Sequence, residues 1–120
     1  MMKRFATYAA CLGLISACSA SEETTPEPTS GFTYYKDAKP VIDARCATCH
    51  QVGDIGPFPM TTLAEVTAFA GAIRASIASG TMPPWQPSNE CNTYKGNIDL
   101  QEDEKAMLLA WLDDGLPEGD

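Results

Sequence analysis

Cys46-Ala47-Thr48-Cys49-His50 constrains this chain more than any other stretch, because five consecutive positions hold two thiols and the sole histidine of its 120 residues. In a helical turn, residues three and four apart share a face, so both thiols and the imidazole can be presented to one body. The spacing is the attachment pattern of a c-type haem, with Cys46 and Cys49 as thioether donors and His50 as the proximal iron ligand. Three other readings use the same residues. A disulfide could join Cys46 to Cys49. A thioredoxin-like redox pair would want a βαβ setting that the pattern lacks, and a zinc site would need more ligands than Cys18 and Cys91 supply.

With His50 used, the opposite face of an iron falls to methionine, another side chain, water or an outside molecule. Met60 follows His50 closely, and reaching the far face would take its loop round the edge of the group in a short distance. Met107 sits within a helical pattern, where a flexible apolar side chain packs. Met82 stands in Gly80-Thr81-Met82-Pro83-Pro84-Trp85, behind a glycine stop and ahead of two prolines that stiffen the backbone. Met82 is the expected axial ligand.

The beginning of the chain predicts export. Lys3 and Arg4 precede an apolar run from Phe5 to Ile15 that is too short to span a bilayer. Ile15-Ser16-Ala17-Cys18 resembles a bacterial lipobox, which would make 1–17 a lipoprotein signal peptide and Cys18 the acylated first residue of the mature chain. An ordinary signal cut nearby would instead leave Cys18 a spare thiol, and Cys11 would be removed either way. Residues 18–31 are polar and contain proline, so after the lipidated cysteine they read as a flexible tether. The formal charge of −8 would become −10 once Lys3 and Arg4 are lost. Such an acidic surface turns away nucleic acid and suits basic or neutral protein partners.

Residues 32–120 can form one small domain, short enough that a cofactor or a disulfide is expected to staple it. Apolar positions at Tyr34, Ala38, Val41 and Ile42 predict a helix over about 34–44, with Pro40 starting or kinking it. Thr62 and Glu65 make a capping box ahead of Leu63, Val66, Ala70, Ile73 and Ile77 on one face, and Gly80 ends that helix. A last helix is expected over about 101–113, with acids in its first turn and Leu108, Trp111 and Leu112 on its apolar side. Gly and Pro fill 51–60 and 81–94, which read as loops. Three helices joined by two long stiff loops suggest a chain that wraps something.

Four features lie in register along 32–120: the cysteine motif, Gly56-Pro57 after it, the Met82-Pro83 loop, and Trp111-Leu112 in the terminal helix. In these the chain resembles a class I c-type cytochrome. The resemblance implies an all-α, cytochrome c-like fold wrapped round one covalent haem c, with its first and last helices crossing at the haem edge. It also implies that the Pro57 carbonyl accepts the ring proton of His50 and that Trp111 packs at the crossing. Thr33 to Pro40, Gly80 to Trp85, Cys91 and the closing Trp111 to Asp120 are similar, more narrowly, to the cytochrome-like modules that precede bacterial copper-dependent, ascorbate-type monooxygenase domains. Copper chemistry does not carry over, because His50 is the only histidine.

A haem closed on both faces by His50 and Met82 has no free iron position, so the expected role is one-electron transfer by a tethered periplasmic carrier rather than an enzyme. Two alternatives stay open: a ligand sensor or peroxidase whose sixth position opens, and an electron-donor subunit of a separate oxidase or monooxygenase. Arg74 could assist peroxide chemistry but reads as a surface ion-pair partner. Cys91 has no disulfide partner once Cys18, Cys46 and Cys49 are used, and reads as free and buried.

Overall fold

The computed structural model describes residues 29–84, 92 and 94–120, and every regular element among them is helical. The expected signal peptide, Cys18, most of the tether, Trp85 and Cys91 lie outside the described residues. No helix among the described residues is long and apolar enough to cross a membrane.

The expected first helix is two pieces, a π-helical turn over Tyr34–Ala38 followed by α1, Lys39–Arg45. Pro40 explains both. In a regular helix its ring would press on the carbonyl four residues back, that of Lys36. The turn is widened instead, with the Lys39 N–H donating to the Tyr34 carbonyl five residues back. Pro40 then stands in the opening turn of α1, where a missing N–H costs nothing.

The second helix is also divided, into α2, Leu63–Ala68, and α3, Ala70–Ala78. Its start is as expected. The Thr62 hydroxyl accepts from the Glu65 N–H at 3.3 Å while the Glu65 carboxylate accepts from the Thr62 N–H at 3.0 Å. The break falls at Phe69 (φ −119°, ψ 15°), whose ring stacks on Phe58 with centroids 4.0 Å apart. That contact comes from another part of the chain, and the break has no local breaker residue. Gly80 (φ +72°) ends the run, as its freedom in the left-handed region allows.

The last helix, α4, spans Glu102–Asp113 with Glu102, Asp103 and Glu104 in its first turn. At its start the Gln101 N–H donates to the Glu104 carboxylate at 3.0 Å. Leu108, Trp111 and Leu112 are buried against Tyr34, Ala38, Ile42, Val66, Ile73 and Ile77 in one core. Burying side chains of this size is worth about 1.5–3 kcal/mol each. The opening turn meets α4 directly, with the Tyr34 ring stacked on Trp111 at 5.8 Å and 28°.

Both ends of the folded part are tied to that junction. The Pro117 carbonyl accepts from the Tyr34 N–H at 2.8 Å and from Trp111 Nε1 at 3.0 Å. At the end of α4, the Asp114 carboxylate accepts from the Thr29 hydroxyl and the Ser30 N–H. Those hydrogen bonds, Ser30's first, hold the Asp114 carboxyl down to about 2.

Candidate functional site

α1 runs straight into the cysteine motif. The Cys46 N–H donates to Ile42 O at 2.9 Å, and the N–H groups of Cys49 and His50 both donate to Cys46 O, at 3.1 and 3.0 Å. This turn sets Cys46, Cys49 and His50 on the wall of a single cavity of about 440 Å³, which Met60, Ile73, Ile77 and Met82 also line. A volume of that order suits a cofactor-sized ligand. Neither cysteine is in a disulfide. Burial, with a contribution from the Glu104 carboxylate, pushes the Cys46 thiol up to about 11, so it is neutral at ordinary pH.

The 51–60 loop is fastened to the motif from above. Its Gly56 N–H donates to Cys49 O and its Met60 N–H to His50 O, each at 2.9 Å. A Cβ at Gly56 would stand 2.7 Å from the Cys49 carbonyl oxygen and 2.8 Å from His50 Nδ1, so only glycine lets the loop pass this close. Two residues on, the Phe58 carbonyl lies 2.9 Å from His50 Nδ1. A carbonyl only accepts, which assigns a proton to Nδ1 and makes Nε2 the nitrogen that bears the lone pair in the neutral ring.

The resemblance had given that acceptor role to Pro57, and the structure moves it one residue along, to Phe58. Pro57 itself lines the cavity. The path explains the shift, because the loop must clear the imidazole at Gly56 before a carbonyl can turn back to it. The Phe58 ring also leans on the imidazole, centroids 5.1 Å apart, and stacks on Phe69, which binds the loop to the α2–α3 junction.

The second wall hangs from the end of α3. Past Gly80, the N–H groups of Thr81 and Met82 both donate to Ser76 O, at 3.0 and 3.1 Å. Met82 borders the cavity while remaining 37% exposed, and its peptide bond to Pro83 is cis rather than extended trans. Met60 also borders the cavity but is 4% exposed and belongs to the core. Because the Met60 backbone is bonded to His50, it is rooted in the same wall as the imidazole, whereas Met82 arrives from another element. Met107 packs against the core and does not line the cavity.

Arg45 is the only formally charged side chain that borders the cavity among the described residues. Its guanidinium meets both oxygens of Glu104 and donates to Asn97 O at 3.3 Å. Arg74 is elsewhere, paired with Asp113 on the exposed surface, each group favouring the charged form of the other. No group of three or more His, Cys, Asp or Glu gathers among the described residues, so the zinc reading finds no ligand set there. Likewise, among the described residues no strand accompanies the cysteines as a thioredoxin-like pair would want.

Compared with family models, with curated proteins and with solved structures, the chain matches none. The donor set is what bears on function. Two free thiols one helical turn apart, an imidazole with its tautomer held, and a thioether from a second wall surround an apolar space. These groups fit a large apolar cofactor that is attached through sulfur and carries a metal with nitrogen and sulfur ligands. Phe58 and Arg45 belong to this site and carried no signal in the sequence, since Phe58 enters it by the path its loop takes back to His50 and Arg45 through Glu104, 59 positions along the chain.

Proposed function

We propose that this chain is a class I c-type cytochrome: residues 32–120 hold one haem c through Cys46 and Cys49, with His50 and Met82 as axial ligands. Its function is one-electron transfer. The single observation that carries the reading is the convergence of the two thiols, the imidazole and Met82 on one apolar cavity. When bound there, the haem supplies a one-electron couple.

The chain's own residues do the rest. The Phe58 carbonyl holds the His50 ring in one tautomer and orientation and makes Nε2 a better donor. Met60, Ile73 and Ile77 keep water from the cavity wall, and a thioether from Met82 favours the reduced state relative to a second imidazole. The lipobox-like residues ending at Cys18 support an exported, lipid-anchored protein on the periplasmic side of a bacterial membrane, and the acidic balance supports basic or neutral redox partners.

A second reading draws on the exposure of Met82. If the thioether leaves the iron, the sixth position opens to peroxide or a diatomic gas, giving a sensor or peroxidase. One preparation separates these readings: the full chain made in a host that matures c-type cytochromes. The expected result is a pyridine haemochrome of the c type, a low-spin reduced spectrum, a far-red sulfur-to-iron band in the oxidised protein, and slow carbon monoxide uptake at neutral pH. A high-spin spectrum with rapid uptake would favour the open site, and absence of covalent haem would overturn both.

A further inference from the structure

The Arg45–Glu104 pair has no part in holding the thiols, the imidazole or the thioether, yet Arg45 borders the same cavity and Glu104 stands behind it. Arg45 is the last residue of α1 and immediately precedes Cys46. Its Nε and one terminal nitrogen each lie 3.1 Å from a Glu104 oxygen, and both side chains are about three-quarters buried, at 24% and 22% exposure. Glu104 is itself held from a second side, because the oxygen that accepts from Arg45 Nε also accepts the Gln101 N–H at 3.0 Å. The carboxylate therefore cannot swing into solvent without giving up the start of α4. Asn97 O takes a further guanidinium N–H. A pair fixed this firmly and shielded this far from water acts on its neighbours with less screening than a surface pair.

We propose that the Arg45–Glu104 ion pair sets the reduction potential of the group attached at Cys46 and Cys49, by cancelling the charge of Arg45, the one formal cation at the cavity wall among the described residues. The inference rests on the functional reading above. Its physics is a sign argument. Oxidation adds one positive charge at the metal, and a lone guanidinium beside the cavity opposes that charge. Glu104 neutralises the opposition, so the pair together keeps the oxidised state more accessible than Arg45 alone would. Removing Glu104 should raise the potential, removing Arg45 should lower it by leaving a bare carboxylate, and removing both should return it toward the starting value.

The test is a spectroelectrochemical titration of the loaded full chain and of Glu104→Gln, Arg45→Gln, the double variant, and Glu104→Asp as a charge-preserving companion. An effective dielectric constant intermediate between water and a dry interior predicts a shift of about tenfold in the redox equilibrium for each single charge removal, which is about 59 mV for a one-electron couple. The expected pattern is opposite signs for the two single variants, near-cancellation in the double variant, and little change for Glu104→Asp. Shifts of the same sign in both single variants would show that loosening and water entry govern the potential, and would overturn the proposal, as would no shift at all. If Arg45→Gln fails to load, the contrast between Glu104→Gln and Glu104→Asp still decides. A wild-type chain without covalent haem overturns the functional reading and this inference with it, whereas a loaded wild type with unmoved variants overturns the inference alone.

Discussion

The cavity has two walls built by different means. On the His50 wall, Gly56 and Met60 are joined to the motif by backbone hydrogen bonds of 2.9 Å, the Phe58 carbonyl lies 2.9 Å from the imidazole Nδ1, and a glycine sits where no other residue fits. On the Met82 wall, two N–H groups share the single carbonyl of Ser76, and the side chain that borders the cavity is more than a third exposed. The first wall is over-determined, so its donors are presented in one geometry whether or not anything is bound. Among the described residues the second is tied through the Ser76 carbonyl and a Ser79–Thr81 hydroxyl contact of 2.9 Å, and its Met82 side chain stays partly exposed. If the haem proposed above is bound, a site made this way would hold it from the His50 side and leave the Met82 side as the part free to change.

Four substitutions would break or sharpen that contrast. The largest effect on haem loading is expected from Gly56→Ala. Its added Cβ meets the Cys49 carbonyl and the imidazole at 2.7–2.8 Å, and overpacking of that kind costs about 1–3 kcal/mol where the neighbours are backbone. The yield of covalently loaded protein should fall by about tenfold or more, following that cost. Haem stain on a denaturing gel measures it, and full loading would show that the first wall is softer than its hydrogen bonds imply.

Met82→Ala comes next, and Met60→Ala is its counterpart. Removing the Met82 thioether should leave covalent attachment intact, abolish the far-red band and open the iron to carbon monoxide, with little change in melting temperature. Met60 is a core residue, so its truncation should cost about 2–5 kcal/mol of stability and keep the low-spin spectrum. Spectra and thermal melts of the two loaded variants decide the point. A reversed pattern would assign the axial sulfur to Met60 and reduce Met82 to packing.

The smallest effect belongs to Gly80→Ala. A left-handed φ of +72° costs a residue with a Cβ about 1–2 kcal/mol, and no neighbouring atom stands within 4 Å to add a clash. That strain falls on the turn that carries Thr81 and Met82 to Ser76 O. Partial loss of the far-red band with unchanged haem content is expected in its absorption spectrum. An unaltered band would mean that Met82 is held by something beyond the Ser76 carbonyl.

What was legible in the sequence was local. The thiol and imidazole spacing, the Thr62–Glu65 capping box, the Gly80 stop and the acidic first turn of α4 all involve partners within a few residues, so the order of residue types is enough to specify them. The apolar faces were legible for the same reason, since Val66, Ile73, Ile77, Leu108, Trp111 and Leu112 follow the helical period and are buried together. The Gln101–Glu104 cap was local too, but glutamine at that position is a weaker signal than serine or threonine.

Only the tertiary structure decided the rest. The break at Phe69 answers to Phe58, and the exchange of Phe58 for Pro57 as the acceptor of the His50 proton depends on how the loop clears the imidazole at Gly56. The Arg45–Glu104 pair links residues 59 positions apart, and the separate roots of Met60 and Met82 appear only once Met60 is bonded to His50 and Met82 to Ser76. Local order specifies which groups a turn can offer, because neighbouring atoms are already within reach. Which groups from distant segments meet across a cavity depends on loop paths and on packing that exists only when the whole chain has closed on itself.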